Sequence, residues 1–210
     1  MPAKRFERDL VKGWLHEPAK AHGHALAITH GAGGNCDAPL LRGIADQLCE
    51  AGWFVLRYDL PYRQARPHGP PFPAQAARDR DGVRAAAAAI REIAPKIYLS
   101  GSSYGGRQTS MAASEDARLA DALLLSSYPL HPPGKPERLR TEHFPRLGVS
   151  SVFVQGTADP FGSPEELRPM LGLIPARTEL IAVDGAGHDL RRGRFDIAGV
   201  VGRTLALLEG

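Results

Sequence analysis

The stretch Lys96-Ile97-Tyr98-Leu99-Ser100-Gly101-Ser102-Ser103-Tyr104-Gly105-Gly106 decides how this chain folds. Lys96 to Ser100 is a short apolar run with strand character, and Gly105 to Ser114 reads as a helix. Between them sits Gly-x-Ser-x-Gly, centred on Ser103. When a strand turns straight into a helix, the positions two before and two after the central residue crowd each other. Both therefore need glycine. Centring the motif on Ser102 would put Ser100 and Tyr104 at the crowded positions, and Tyr104 is too bulky there. The turn lifts the Ser103 hydroxyl above the strand end and aims a helix N-terminus at it. The competing reading is an ordinary Gly-rich turn.

The same alternation runs outward in both directions. Upstream, Ala25 to Thr29 is a buried-strand run. Pro39 to Ala51 carries Leu40, Leu41, Ile44, Ala45 and Leu48 at helical spacing, with Gly52 as its stop. Trp53 to Tyr58 is a strand. Pro61, Pro67, Pro70, Pro71 and Pro73 mark residues 61–73 as a loop. Ala74 to Ala94 is a long Ala-rich helix. Downstream, Ala122–Ser126, Ser151–Gln155 and Glu179–Val183 are strands, Pro164–Leu171 is a short helix and Phe195–Leu208 a closing helix. Phe6 to Leu15 adds an antiparallel edge strand or hairpin. Continuous apolar strands alternating with helices predict an α/β architecture: a mostly parallel sheet of about six to seven strands, with helices on both faces. No linker or composition shift divides residues 1–210, so a single domain is expected.

Composition narrows the function classes. The chain has 210 residues, 43% hydrophobic and 23% charged, which excludes a disordered, collagenous or coiled-coil protein. Its 23 glycines and 18 prolines ask for many tight turns. The net charge is only +3, acids are interspersed among the bases, and no basic block occurs, so no nucleic-acid partner is expected. No apolar run approaches the ~18 residues of a membrane span, so no membrane partner is expected either. Cys36 and Cys49 lie roughly 20 Å apart if the residues between them are helical, too far for a disulfide. Free thiols, with no apolar leader at the N-terminus, predict a cytoplasmic protein.

In an open parallel sheet, ligands bind beyond the carboxyl ends of the strands. A Ser hydroxyl there needs a base to take its proton, and the base needs an orienting acid. Chain order supplies both. Asp159 follows the strand ending at Gln155, and His188 lies in the loop Asp184-Gly185-Ala186-Gly187-His188-Asp189 beyond the last strand. Asp159 could instead be a turn former ahead of Pro160, and His188 a surface residue. Asp184 and Asp189 are rival acids. Developing negative charge needs two backbone donors. The Tyr104 N–H is one, and the loop His30-Gly31-Ala32-Gly33-Gly34-Asn35 supplies the other, from Ala32 first and Gly33 second. His30 reads as a structural residue of that loop. The Gly cluster is no phosphate cradle, because no Lys-Ser/Thr follows it. His22 and His24 flank a glycine before a strand and make no metal site, and Cys36 reads as a packed thiol. Neither a metal nor another cofactor is expected.

Together these segments resemble the α/β-hydrolase superfamily, over nearly the whole chain. The chain is similar to small dienelactone-hydrolase-like members. It resembles more specifically a group of testis-expressed-protein-thirty-like hydrolases, through His30-Gly31-Ala32-Gly33, Tyr128-Pro129-Leu130-His131-Pro132-Pro133-Gly134-Lys135-Pro136 and Gln155-Gly156-Thr157-Ala158-Asp159-Pro160-Phe161-Gly162. The resemblance implies the α/β-hydrolase fold, with Ser103, Asp159 and His188 as catalytic residues. Dienelactone hydrolases use a Cys nucleophile, whereas this chain has Ser103. The superfamily often inserts a helical lid after its sixth strand. Here residues 129–147 fill that slot and hold Pro129, Pro132, Pro133, Pro136 and Pro145, so no helical lid and an open cleft are expected. Gly33, Tyr62, His131 and Phe161, with Tyr104, are candidates for its walls. The expected function is a serine hydrolase acting on a small-molecule carboxylic ester or thioester. The alternatives are a non-catalytic interaction module on this fold and a cofactor-free perhydrolase-like activity on the same residues. The substrate and the oligomeric state stay open.

Overall fold

The computed structural model describes residues 3–190, 196, 198–199 and 201–203. Eight strands form one sheet in the order β1-β2-β4-β3-β5-β6-β7-β8. The N-terminal stretch is a true hairpin: β1 (Lys4–Arg8) pairs antiparallel with β2 (Val11–His16), and β2 with β4 (Phe54–Asp59). The remaining strands, β3 (His24–Thr29), β5 (Lys96–Ser102), β6 (Ala122–Ser126), β7 (Ser151–Gly156) and β8 (Thr178–Val183), are parallel to β4 and to each other. The expected count of six to seven is thus low, because both arms of the hairpin join the sheet.

The apolar strand runs are buried on both faces, and their residues alternate between two cores. Ala25, Ala27, Leu56, Tyr58, Ile97, Leu99, Leu123, Leu125 and Phe153 face one side. There they meet α3 (Ala76–Arg91), α4 (Tyr104–Glu115) and α5 (Pro164–Leu171). Leu26, Ile28, Val55, Tyr98, Leu124, Val152 and Val154 face the other side, against Leu41, Ile44, Ala45 and Leu48 of α1 (Pro39–Glu50). The small side chains of α3 let Val83, Ala86, Ala87 and Ile90 sit fully against the sheet. Gly52 stops α1 as expected. Its φ is +90°, and it closes a Schellman turn in which the Gly52 and Trp53 N–H groups donate to the Cys49 and Leu48 carbonyls.

One expected loop is shorter than read. Pro61 opens a helix, α2 (Pro61–Ala65), and Pro73 opens a 3-10 turn through Gln75. Proline breaks a helix interior but suits its first turn, where no N–H partner is lost. The rest of the segment is irregular. Residues 129–147 carry only the 3-10 turn Phe144–Arg146, so among the described residues no helical lid forms there. The closing helix expected at 195–208 lies largely outside the described residues; residues 198–199 and 201–203 are helical.

Candidate active site

The strand order reverses direction between β3 and β5, the switch point where an open sheet presents its crevice. The loops after β3, β5, β7 and β8 meet there. Ser103 stands between β5 and α4 with φ 50° and ψ −117°, far from any ordinary well for a residue with a side chain. Its N–H donates to Ser126 O at 2.9 Å, and its carbonyl accepts from Arg107 N at 2.9 Å. The glycines explain how such a turn closes. A Cβ on Gly101 would lie 2.5 Å from the Gly105 carbonyl carbon, and one on Gly105 would lie 2.5 Å from His30 O. Neither contact is tolerable.

Ser103, Asp159 and His188 come together. His188 Nε2 is 2.8 Å from Ser103 Oγ, and His188 Nδ1 is 2.8 and 2.9 Å from the two Asp159 oxygens. An ionised carboxylate only accepts, so Nδ1 carries the imidazole proton. Nε2 is then a bare acceptor, and the Ser103 hydroxyl donates to it. The side chain of Asp159 is fully buried. It is held by Phe161 N at 2.8 Å and by Gln155 Nε2 at 2.9 Å. The rival acids Asp184 and Asp189 are both exposed, and it is Asp159 that accepts the hydrogen bond from His188 Nδ1. The Phe161 ring stacks on His188 with centroids 4.1 Å apart.

The glycine loop after β3 is fixed from behind. Tyr62 Oη donates to Gly31 O at 3.2 Å and to Ala32 O at 3.0 Å, and His30 Nδ1 lies 2.8 Å from Gly31 O. Arg63 donates from Nε to Gly34 O and from Nη2 to Ala32 O. Across a trans peptide the N–H points opposite to the C=O. With the Gly31 carbonyl held against Tyr62 and His30, the Ala32 N–H faces away from them. Tyr104 is the first residue of α4, so its N–H is one of those left without an intrahelical partner. His30 is fully buried, and burial holds its imidazole below the usual value. Its Nε2 accepts from Leu60 N, so Nδ1 donates to Gly31 O, the structural role expected of it.

A cleft of about 720 Å³ opens at this point. Ala32, Gly33, Ser103, Tyr104, Phe161 and His188 line it. Tyr62 and His131 do not. Tyr62 is 1% exposed, because its hydroxyl is spent on the glycine loop and its ring packs edge-on against Tyr104 at 5.7 Å. His131 is 5% exposed, with Nδ1 turned 2.9 Å from its neighbour's carbonyl, Pro132 O, and Nε2 3.4 Å from Glu166. Among the described residues, no group of three or more His, Cys, Asp or Glu is placed to hold a metal ion, His22 and His24 included. Cys36 is buried and free, its thiol pushed up to about 12 by burial.

Three supporting residues escaped the sequence reading. Asp79 on α3 is fully buried and accepts from Tyr62 N at 2.9 Å and Tyr104 Oη at 2.8 Å; burial raises its carboxyl above the ordinary range. Gln155 is fully buried and ties Asp159 to Tyr128 and Gly162. Arg63 is the third. Each is a single polar residue in a stretch whose pattern shows only helix, strand or loop character. A buried polar side chain has no one-residue signature.

The fold and the cleft define an α/β-hydrolase architecture. The alpha/beta hydrolase domain model matches residues 22–197, and the chain belongs to that family. Among solved structures it is similar to Est1E from Butyrivibrio proteoclasticus, at 16% identity and TM-score 0.74, covering 99% of this chain and 98% of that one. A dienelactone hydrolase from Anabaena variabilis matches at 18% identity and TM-score 0.72, over 96% and 95% of the two chains. XC6422 from Xanthomonas campestris, described as an α/β serine hydrolase without lid, matches at 19% identity and TM-score 0.72, over 98% and 94%. Likeness at this identity is likeness of fold. Among the described residues no helix is long and apolar enough to cross a membrane.

Proposed function

We propose that this protein is a serine hydrolase that cleaves a small carboxylic ester or thioester. The observation that carries the reading is the line from Asp159 through His188 Nδ1 and Nε2 to Ser103 Oγ, each link at 2.8–2.9 Å. Ser103 Oγ attacks the acyl carbon while His188 Nε2 takes its proton. The imidazolium that forms is stabilised by the buried Asp159 carboxylate. The Ala32 and Tyr104 N–H groups hold the oxyanion, with no charge to be reorganised at that moment. His188 then gives the proton to the leaving alcohol or thiol, and water repeats the sequence on the acyl-enzyme. Strain at Ser103 supports the reading, since an off-well serine with glycines closed around it serves no packing purpose.

On the resemblance of segments 30–33, 128–136 and 155–162, we read the protein as similar to the testis-expressed-protein-thirty-like hydrolases. Its two free thiols suit a reducing cytoplasm. We read residues 1–210 as one domain acting without metal or cofactor on a small acyl substrate. Nucleic acid and membrane have no part in that reading. A fluorophosphonate probe tests it. Labelling at Ser103, lost in Ser103→Ala, is the expected result. A folded protein whose Ser103 stays unlabelled would favour the interaction-module reading instead.

A further inference from the structure

One wall of the cleft carries charge that the acyl-transfer chemistry does not use. Arg107, Gln108 and Arg140 all line it. Arg107 and Gln108 lie on α4, four and five residues past Ser103. Side chains on a helix lean back toward its N-terminus, so both lean toward the serine. Gln108 is 1% exposed, and its Oε1 accepts from Arg80 Nη1 at 3.4 Å. A guanidinium can only donate, so Arg80 fixes which way the amide faces. That leaves Gln108 Nε2 buried and, among the described residues, without a partner. Arg107 Nε is buried and unpaired in the same way.

The two guanidinium groups are poorly balanced. Glu142 lies 3.9 Å from Arg107 Nη2, at the limit of an ion pair, and its side chain is 69% exposed. Arg140 donates to Pro129 O at 3.3 Å, and among the described residues no carboxylate lies within ion-pair distance of it. Burial first, and the like charge of Arg107 second, lower the Arg140 guanidinium from its ordinary value. Asp189 adds a single exposed carboxylate at the cleft. Two cations and a buried amide donor held together at a cleft wall are unfavourable until an anion completes them. The lining also has an apolar part, with Pro70, Pro71, Phe72 and Pro73.

We propose that Arg107, Gln108 and Arg140 form a subsite for a carboxylate on the acyl chain, so that the substrates are half-esters of dicarboxylic acids. The proposal rests on the hydrolase reading above. An adipate half-ester, with a flexible four-methylene chain between its two carboxyl groups, is a suitable probe of that class.

The test compares mono-4-nitrophenyl adipate with the neutral 4-nitrophenyl hexanoate, after subtraction of spontaneous hydrolysis. The expected result is kcat/KM about tenfold higher for the anionic ester, as for a charge-assisted contact. In R107Q and R140Q the ratio should fall toward one. Should R107Q not fold, R140Q decides, since Arg140 stands in an irregular segment. Free adipate gives a readout without turnover: it should raise the Tm of the wild type and not that of R140Q. A wild type that prefers the neutral ester, or a Tm that adipate does not move, overturns the subsite. If neither ester is cleaved and the probe leaves Ser103 unlabelled, the hydrolase reading fails by itself, and the adipate shift still judges the subsite.

Discussion

Two serines, Ser103 at the N-cap of helix α4 and Ser110 within it, each have a histidine Nε2 2.8 Å from the hydroxyl oxygen. Ser103, at the start of the helix, faces His188. Ser110, two turns on, faces His143. The distances are the same and the chemistry is not. His188 has its Nδ1 on a buried carboxylate, which turns Nε2 into an acceptor for the serine proton. His143 has no such partner: among the described residues its Nδ1 is buried and unpaired. Ser110 Oγ already donates to the Arg107 carbonyl at 3.0 Å, so His143 donates to Ser110 through Nε2. The proton therefore runs toward the base at one site and away from it at the other. Only Ser103 sits in a strained turn, at a cleft, beside free N–H groups. A serine–histidine distance alone identifies neither a nucleophile nor a base.

The largest expected effect breaks this comparison at the serines. Ser103→Ala should reduce ester turnover by about 10⁴-fold or more and leave the Tm within a few degrees. Ser110→Ala should change turnover by less than about threefold, because it removes a back-bond to the helix and the bond from His143, neither of which reaches the cleft. Comparable losses in the two variants would mean that the wrong pair has been assigned. Next in size is Asp159→Asn. The amide can donate to His188, which reverses the imidazole tautomer and costs about 10³–10⁴-fold in kcat. Unchanged kcat in that variant would show that Asp159 does not orient the base.

The sequence revealed one of these pairs and not the other, for a physical reason. Ser103 is announced by Gly101 and Gly105, which the backbone requires, and by its place between strand and helix. Asp159 and His188 are legible as single polar residues just past apolar strands. The alternating cores were legible too, since each strand reads as a continuous apolar run. Gln155, Asp79 and Arg63 were not, because a side chain that props up a loop is defined by partners far away in sequence. Tyr62 and His131 show the opposite failure. Both lie near the cleft along the chain, but their polar atoms are spent on nearby backbone or side-chain partners, and that choice leaves no mark in composition.

Gln155 offers an intermediate effect. Its Oε1 accepts from Tyr128 N at 2.8 Å while its Nε2 donates to Asp159 and to Gly162 O. Gln155→Leu keeps the volume and removes every bond. It leaves a buried N–H and part of a buried carboxylate unsatisfied, a cost of about 2–4 kcal/mol. The same change lets Asp159 move, so kcat should fall about tenfold with KM little altered. Equilibrium urea unfolding and steady-state kinetics on one preparation separate the two losses. A stable variant with full kcat would mean that Phe161 N alone holds Asp159 in place.

The smallest effect sharpens the comparison from the buried side. His143 is 3% exposed, and burial first, then the charges of Arg107 and Arg146, lower its imidazole to about 4 from an ordinary value of 6.5. Between those two values the unfolded chain binds a proton there that the folded chain does not. His143 therefore contributes its full share of stability above the unfolded value, and that share is lost as pH falls toward the folded one. The loss can reach about a factor of ten in the folding constant for each pH unit. His143→Gln keeps a donor for Ser110 and removes the titration. The carboxylates and the other buried histidines, His16, His30 and His131, remain in both proteins, so the difference between the two stability profiles isolates this one ring. The wild type should lose stability faster than the variant from pH 6 to pH 4.5, with parallel profiles above pH 7. Profiles parallel over the whole range would show that His143 takes its proton inside the fold, and the contrast between the two histidines would then rest on the carboxylate alone.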